Sequence, residues 1–136
     1  MPKILYLEDE EGLVQFLPLV LKEKGLEVIS TLSIKDALQK LASEDFDAVL
    51  LDIMMPPTED MDAETLDYGR ETGIEVARRM KRIKPKTPII AFTVITDSKL
   101  LEKIRKAGIA TVLNKPAEID QIVQALDQVS RRKTQP

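Results

Sequence analysis

The run Asp47-Ala48-Val49-Leu50-Leu51-Asp52 constrains this chain more than any other stretch. Four apolar residues, Ala48 to Leu51, end abruptly in a carboxylate. Short apolar runs of this kind read as strands buried on both faces, as in a parallel sheet. A charge at the end of such a strand is expensive unless it is paired, metal-bound or wet. In open α/β sheets, ligands collect in the crevice beyond the carboxyl ends of the strands. Asp52 is therefore where chemistry is expected.

The remaining segments fit that frame. Lys3 to Leu7 predicts a strand, followed by the acids Glu8-Asp9-Glu10-Glu11. Leu13, Phe16, Leu17, Val20 and Leu21 recur at helical spacing up to Gly25, with Pro18 expected to kink the helix. Glu27 to Thr31 predicts a second strand. Ser33 caps a helix over Ile34 to Ser43. After the Asp47–Asp52 strand, Pro56 to Tyr68 reads as an acidic loop. A helix is expected over Thr72 to Lys84, a strand over Pro88 to Phe92 ending at Thr93, and a helix over Ser98 to Ala107. A strand over Ala110 to Leu113, ending near Lys115, and a helix from Glu118 to about Lys133 complete the pattern.

Alternating strands and helices imply parallel pairing with right-handed crossovers. The expected fold is α/β: a doubly wound five-stranded parallel sheet in the flavodoxin-like order 2-1-3-4-5, with helices on both faces. Residues 1–136 read as a single domain.

Composition excludes several chemistries. The chain has no histidine, so it cannot itself be a histidine kinase or phosphocarrier. It has no cysteine, which removes thiolate catalysis, disulfides and zinc–thiolate sites. A net charge of −3 argues against nonspecific nucleic-acid binding. The basic cluster Arg131-Arg132-Lys133 reads as a solvated last helical turn. No apolar run is long enough to span a bilayer, and Met1 to Leu7 is too short for a signal peptide, so a cytoplasmic location is expected.

In the 2-1-3-4-5 order, strands 1 and 3 are neighbours at the switch point. Glu8 and Asp9 at the end of strand 1 then meet Asp52 at the end of strand 3. Three close carboxylates repel one another, and a hard divalent cation relieves this. Mg2+ takes oxygen ligands and keeps several waters, so Glu8, Asp9 and Asp52 suit it, with the Met54 carbonyl as a further ligand. The bland alternative is that these acids merely cap strand ends and face water. Thr93 and Lys115 add a hydroxyl and an ammonium at the ends of strands 4 and 5, both suited to phosphoryl oxygens. Asp52 would then be the nucleophile, forming an aspartyl phosphate.

The segments Ile4-Leu5-Tyr6-Leu7-Glu8-Asp9-Glu10, Leu50-Leu51-Asp52-Ile53-Met54-Met55-Pro56, Thr93 and Asn114-Lys115-Pro116 together resemble the receiver domain of bacterial two-component response regulators, the chemotaxis-regulator type. The resemblance covers nearly the whole chain. It implies that Asp52 accepts a phosphoryl group from a partner histidine kinase or phosphotransfer protein, that Glu8 and Asp9 hold Mg2+, and that Thr93 and Lys115 sense the phosphoryl oxygens. It also implies a cis peptide between Lys115 and Pro116.

The chain departs from that family in three places. The segment from Pro57 to Glu71 is longer than the usual loop by about a dozen residues, a length that is usually functional or disordered, and it replaces the family's Pro-x-x-Asp-Gly pattern. A solvated acidic loop overhanging Asp52 is expected, selecting the kinase or restricting access. Asp60, Asp62, Glu64 and Glu71 align with calcium-loop ligands, but Thr65 stands where the sharp turn demands glycine. Val112 occupies the position where the family commonly carries an aromatic switch residue. The resemblance implies that Met54 and Ile95 flank the position of an attacking water; neither can orient or deprotonate it, which predicts slow self-dephosphorylation.

The expected function is a stand-alone phosphoacceptor switch, not an enzyme. No residues remain beyond the last helix for an output domain, so output is expected through binding. The expected surface is the 98–107 helix, strand 5 and the 118–133 helix, used for a homodimer, a kinase or an effector. The competing reading is a Mg2+-dependent phosphatase with an aspartyl nucleophile. That chemistry needs a second acid two residues after the nucleophile, and position 54 is Met. A flavin or nucleotide binder would want a glycine-rich loop where Glu8-Asp9-Glu10-Glu11-Gly12 stands.

Overall fold

Five strands carry the architecture in the order β2-β1-β3-β4-β5, all paired in parallel. They are β1 (Lys3–Leu7), β2 (Glu27–Thr31), β3 (Ala48–Leu51), β4 (Ile89–Thr93) and β5 (Thr111–Asn114). The connecting helices are α1 (Glu11–Glu23), α2 (Ile34–Ser43), α3 (Thr72–Ile83), α4 (Ser98–Lys106) and α5 (Ile119–Thr134). The fold is the doubly wound α/β arrangement that the sequence pattern predicts. This computed structural model describes residues 1–94 and 97–134, with side chains of the last helix described through Ser130.

The strands explain the two-sided core. Every residue of β3 and β4 is buried, as expected of central parallel strands covered on both faces. Alternate residues divide between two apolar layers. Leu5, Leu7, Val49, Leu51 and Ala91 pack with α2, α3 and α4. Ile4, Tyr6, Leu50, Ile90 and Phe92 pack with Leu17 and Leu21 of α1 and Ile122, Leu126 and Val129 of α5.

Several local expectations are corrected. Phe16 does not join the core and is 57% exposed. The buried stripe of α1 is centred on Leu17 and Leu21, four residues apart, and Phe16 lies one step, about 100°, off that line. Pro18 lacks the N–H that would reach Val14, yet α1 continues as one element to Glu23, and Gly25 takes a positive φ of 88° just beyond it. β5 starts and ends one residue later than expected. Ala110 instead donates its N–H to Ile89, and Asn114 pairs with Thr93.

The insertion between β3 and α3 is folded. Asp62 Oδ1 accepts from the Glu64 and Thr65 amides, a turn-forming use of a short acid. Residues Asp67–Gly69 form a 3-10 turn with positive φ at Asp67, Tyr68 and Gly69. Leu66 is buried, and Met61 packs against the α2–α3–α4 layer. Ion pairs tie the insertion to α3 through Asp60 and Arg79 at 2.8 Å and to α4 through Glu71 and Lys103 at 3.0 Å. The acids from Glu59 to Asp67 stay exposed while the backbone of this loop is folded: short acids close turns, and long cations from the two helices pair with it.

Candidate functional site

Backbone hydrogen bonds fix the strand ends relative to one another. The Asp52 amide donates to the Leu7 carbonyl at 3.0 Å, the Glu8 amide to Thr31 at 3.2 Å, and the Lys115 amide to Thr93 at 3.0 Å. With the pairing of Leu51 and Ala91 between β3 and β4, the ends of all five strands are locked side by side. The peptide between Lys115 and Pro116 is cis.

The carboxylates of Glu8, Asp9 and Asp52 converge, each offering an oxygen within 4.8 Å of the others. They do not simply cap strand ends in water. Glu8 is fully buried and Asp52 only 5% exposed, while Asp9 is the open member. Lys115 Nζ lies 2.6 Å from Glu8 Oε1 and 3.6 Å from Asp52 Oδ2. The ammonium also lies over the Phe92 ring, 5.2 Å from its centroid. Met54 is half-buried, and its amide donates to Asp52 Oδ1 at 3.2 Å. The Met54 group facing Asp52 is thus a backbone donor and not an acid.

Burial chiefly, and then the neighbouring Glu8, push the Asp52 carboxyl up to about 8 in the metal-free protein. Burial alone would also raise Glu8. Hydrogen bonds with Asp52 and Lys115, the Lys115 charge and the Tyr6 hydroxyl outweigh it and hold Glu8 below the usual carboxylate range. Two facing acids with one nearby cation therefore resist full ionisation of the pair, Asp52 being the one pushed up.

Whether this basin suits a hard cation is decided by its unmet polar atoms. Apart from any proton shared with Asp52, Glu8 Oε2 is buried without a hydrogen-bond partner. An orphaned carboxylate oxygen beside two more acids, with no soft ligand present, fits Mg2+ or a similar oxygen-seeking ion. Thr93 is 1% exposed and its Oγ1 also lacks a partner, leaving a hydroxyl donor unspent at the end of β4. Val112 lies opposite Ala91, half-buried against the α2–α3–α4 layer. Ile95 lies outside the described residues.

Two residues escaped the sequence reading. Tyr6 is fully buried in β1, and its hydroxyl donates to Glu8 Oε1 at 3.1 Å. Burial, then the Glu8 charge, raise the phenol well above its usual range. Its alternation with Glu8 in the strand, two residues on, was the available signal. Gly73 begins α3 against the chain that follows Asp52. Its amide donates to the Ile53 carbonyl at 2.8 Å, and a Cβ there would stand 2.4 Å from Ile53 Cα and 2.5 Å from the Asp52 carbonyl oxygen. The Thr72-Gly73 pair after the insertion supplies the close approach that the interrupted loop pattern had obscured.

The response regulator receiver domain family matches residues 4–127 of the chain. The response regulator ArlR of Staphylococcus aureus is 28% identical over 137 aligned residues, covering 99% of this chain and 55% of that protein. The chain thus spans about half the length of the curated relatives it matches. Among solved structures, the receiver domain of the Francisella response regulator 1452 superposes with a TM-score of 0.81 at 22% identity, covering 98% of this chain and all of that one. A CheY-like receiver domain protein from Methanospirillum hungatei JF-1 superposes with a TM-score of 0.82 at 20% identity, covering 98% and 96%. A response regulator from Burkholderia pseudomallei, solved with a phosphorylated aspartic acid, calcium ion and citrate, reaches 0.76 at 20% identity over 97% and 70%. No helix among the described residues is long and apolar enough to cross a membrane. With a family match spanning nearly the whole chain and the same sheet order, this chain belongs to the response regulator receiver domains of two-component signalling.

Proposed function

We propose that Asp52 is the phosphoacceptor of a Mg2+-dependent signalling switch, loaded by a partner histidine kinase or phosphotransfer protein. The observation that carries this reading is the convergence of Glu8, Asp9 and Asp52 within 4.8 Å, faced by the Lys115 ammonium. An Asp52 oxygen attacks the phosphorus of the partner's phosphohistidine. The P–O bond forms, the P–N bond breaks, and the imidazole leaves with the electron pair.

Glu8, Asp9 and Asp52, with the Met54 carbonyl, would hold the ion. The ion would supply positive charge against the phosphoryl group, and Asp52 would bind it as the carboxylate. Lys115 turns from Glu8 to a phosphoryl oxygen. The Thr93 hydroxyl, free of other partners, donates to another and carries the β4 end with it.

The chain works as one unit over 1–136 in the cytoplasm and is a regulatory module, not an enzyme. It contacts no nucleic acid or membrane directly. Its output surface comprises α4, β5 and α5, used by a second copy or an effector. The ion pairs from Asp60 and Glu71 make the 57–71 insertion a fixed ledge on α3 and α4, suited to partner selection. The test is beryllofluoride or acetyl phosphate with Mg2+ on wild type and Asp52→Asn. A Mg2+-dependent adduct lost in the variant supports the reading, and no adduct on the wild type rejects it.

A further inference from the structure

We infer that Tyr6 is a positioning residue for this site: its hydroxyl keeps Glu8 Oε1 hydrogen-bonded when Lys115 swings to the phosphoryl group, holding Oε2 turned toward the cation. The inference rests on the reading of the acid cluster as a Mg2+ and phosphoryl site.

The phenol is out of place as a packing group. Tyr6 lies in the layer formed by Ile4, Leu50, Ile90 and Phe92, and is fully buried. A buried tyrosine must find a partner for its hydroxyl. Two positions on, just past the end of β1, stands Glu8, on the same side by strand alternation. The hydroxyl reaches Oε1 at 3.1 Å.

Two donors serve that single oxygen, for Lys115 Nζ lies 2.6 Å from it. No hydrogen-bond partner serves Oε2. The carboxylate is thus anchored by one oxygen with the other left unmet. While Lys115 stays on Glu8, the phenol is one of two anchors on Oε1. Once Lys115 moves from 3.6 Å off Asp52 Oδ2 to a phosphoryl group there, Tyr6 is the remaining anchor. Without it, Oε1 would be stranded in a buried site, and that loss would hold Lys115 back on Glu8.

The test uses the full chain and measures Mg2+ affinity by titration calorimetry, with beryllofluoride binding followed separately. Tyr6→Phe keeps the ring and removes only the hydroxyl. It is expected to weaken Mg2+ about fivefold and beryllofluoride more than Mg2+. In a Lys115→Met background, where Tyr6 alone anchors Oε1, the loss of Mg2+ affinity on Tyr6→Phe is expected to grow. A purely structural role would give equal losses in both backgrounds. Unchanged Mg2+ affinity in both, within twofold, overturns the inference while leaving Asp52 phosphorylation intact. Should Tyr6→Phe fail to fold, carbon-13 labelling of the tyrosine ring carbon that bears the hydroxyl reports on wild type. A Tyr6 shift that moves with Mg2+ and again with beryllofluoride supports the role, and one that moves with neither overturns it. Failure of wild type itself to take beryllofluoride would instead reject the reading of the site.

Discussion

The Lys115 ammonium lies 2.6 Å from Glu8 Oε1, joining the ends of the first and last strands across 107 residues of sequence. The pair is buried on the Glu8 side and only 16% exposed on the lysine side. Removing one partner of such a pair leaves an uncompensated buried charge. Lys115→Met is expected to destabilise the metal-free protein by about 2 kcal/mol, less than a wholly isolated pair because Tyr6 still serves Glu8. Adding Glu8→Gln should recover part of that loss. Urea unfolding of the two single variants and the double variant checks it.

Asp52 gives stability the opposite sign. Its folded carboxyl is raised to about 8 from 3.8, first by burial and then by Glu8. A raised folded value means a contribution fully present below about pH 4 and lost as pH climbs toward 8. Metal-free wild type should therefore weaken across that window relative to Asp52→Asn. Mg2+ should close the gap by stabilising wild type alone. Thermal melts of both proteins from pH 5 to pH 8 decide the matter.

Gly73, in the first turn of α3, packs against the chain that follows Asp52. Its missing Cβ would meet Ile53 Cα at 2.4 Å and the Asp52 carbonyl oxygen at 2.5 Å, both backbone atoms with nowhere to move. Gly73→Ala is expected to cost about 3 kcal/mol as an overpacked site. It should also weaken Mg2+ binding by displacing the Asp52 backbone. Gly12→Ala, at a glycine with open space around it, is the control and should leave Mg2+ binding unchanged.

The acyl phosphate on Asp52 should be long-lived. Met54 brings only its amide to Asp52, and its thioether cannot accept a proton from water. Radiolabelled phosphoprotein in Mg2+ buffer is expected to decay over minutes or longer, and Met54→Glu should hasten the decay. Loss of label from wild type within seconds would contradict it.

How much of this was legible beforehand follows from which physics the sequence exposes. Apolar runs ending in acid, such as Ala48 to Asp52, reveal both a buried strand and its chemical end, because burying an unpaired charge is prohibitive. Sheet order then brings Asp9 to Asp52. Phe16 misled because seven apolar residues in the nine from Leu13 to Leu21 blur a helical stripe, and only the packing partners choose its centre. The insertion was opaque because its fold depends on Arg79 and Lys103 reaching back from distant helices. Tyr6 read as core, and the pattern could not tell where a phenol oxygen ends up.

The most direct measurement is the intact mass of the protein, mapped by peptide, after acetyl phosphate treatment with Mg2+. A single phosphoryl group on the Asp52 peptide, absent without Mg2+ and absent in Asp52→Asn, is the expected result. A wild-type chain that stays unmodified under these conditions, or carries the group on another residue, contradicts the account.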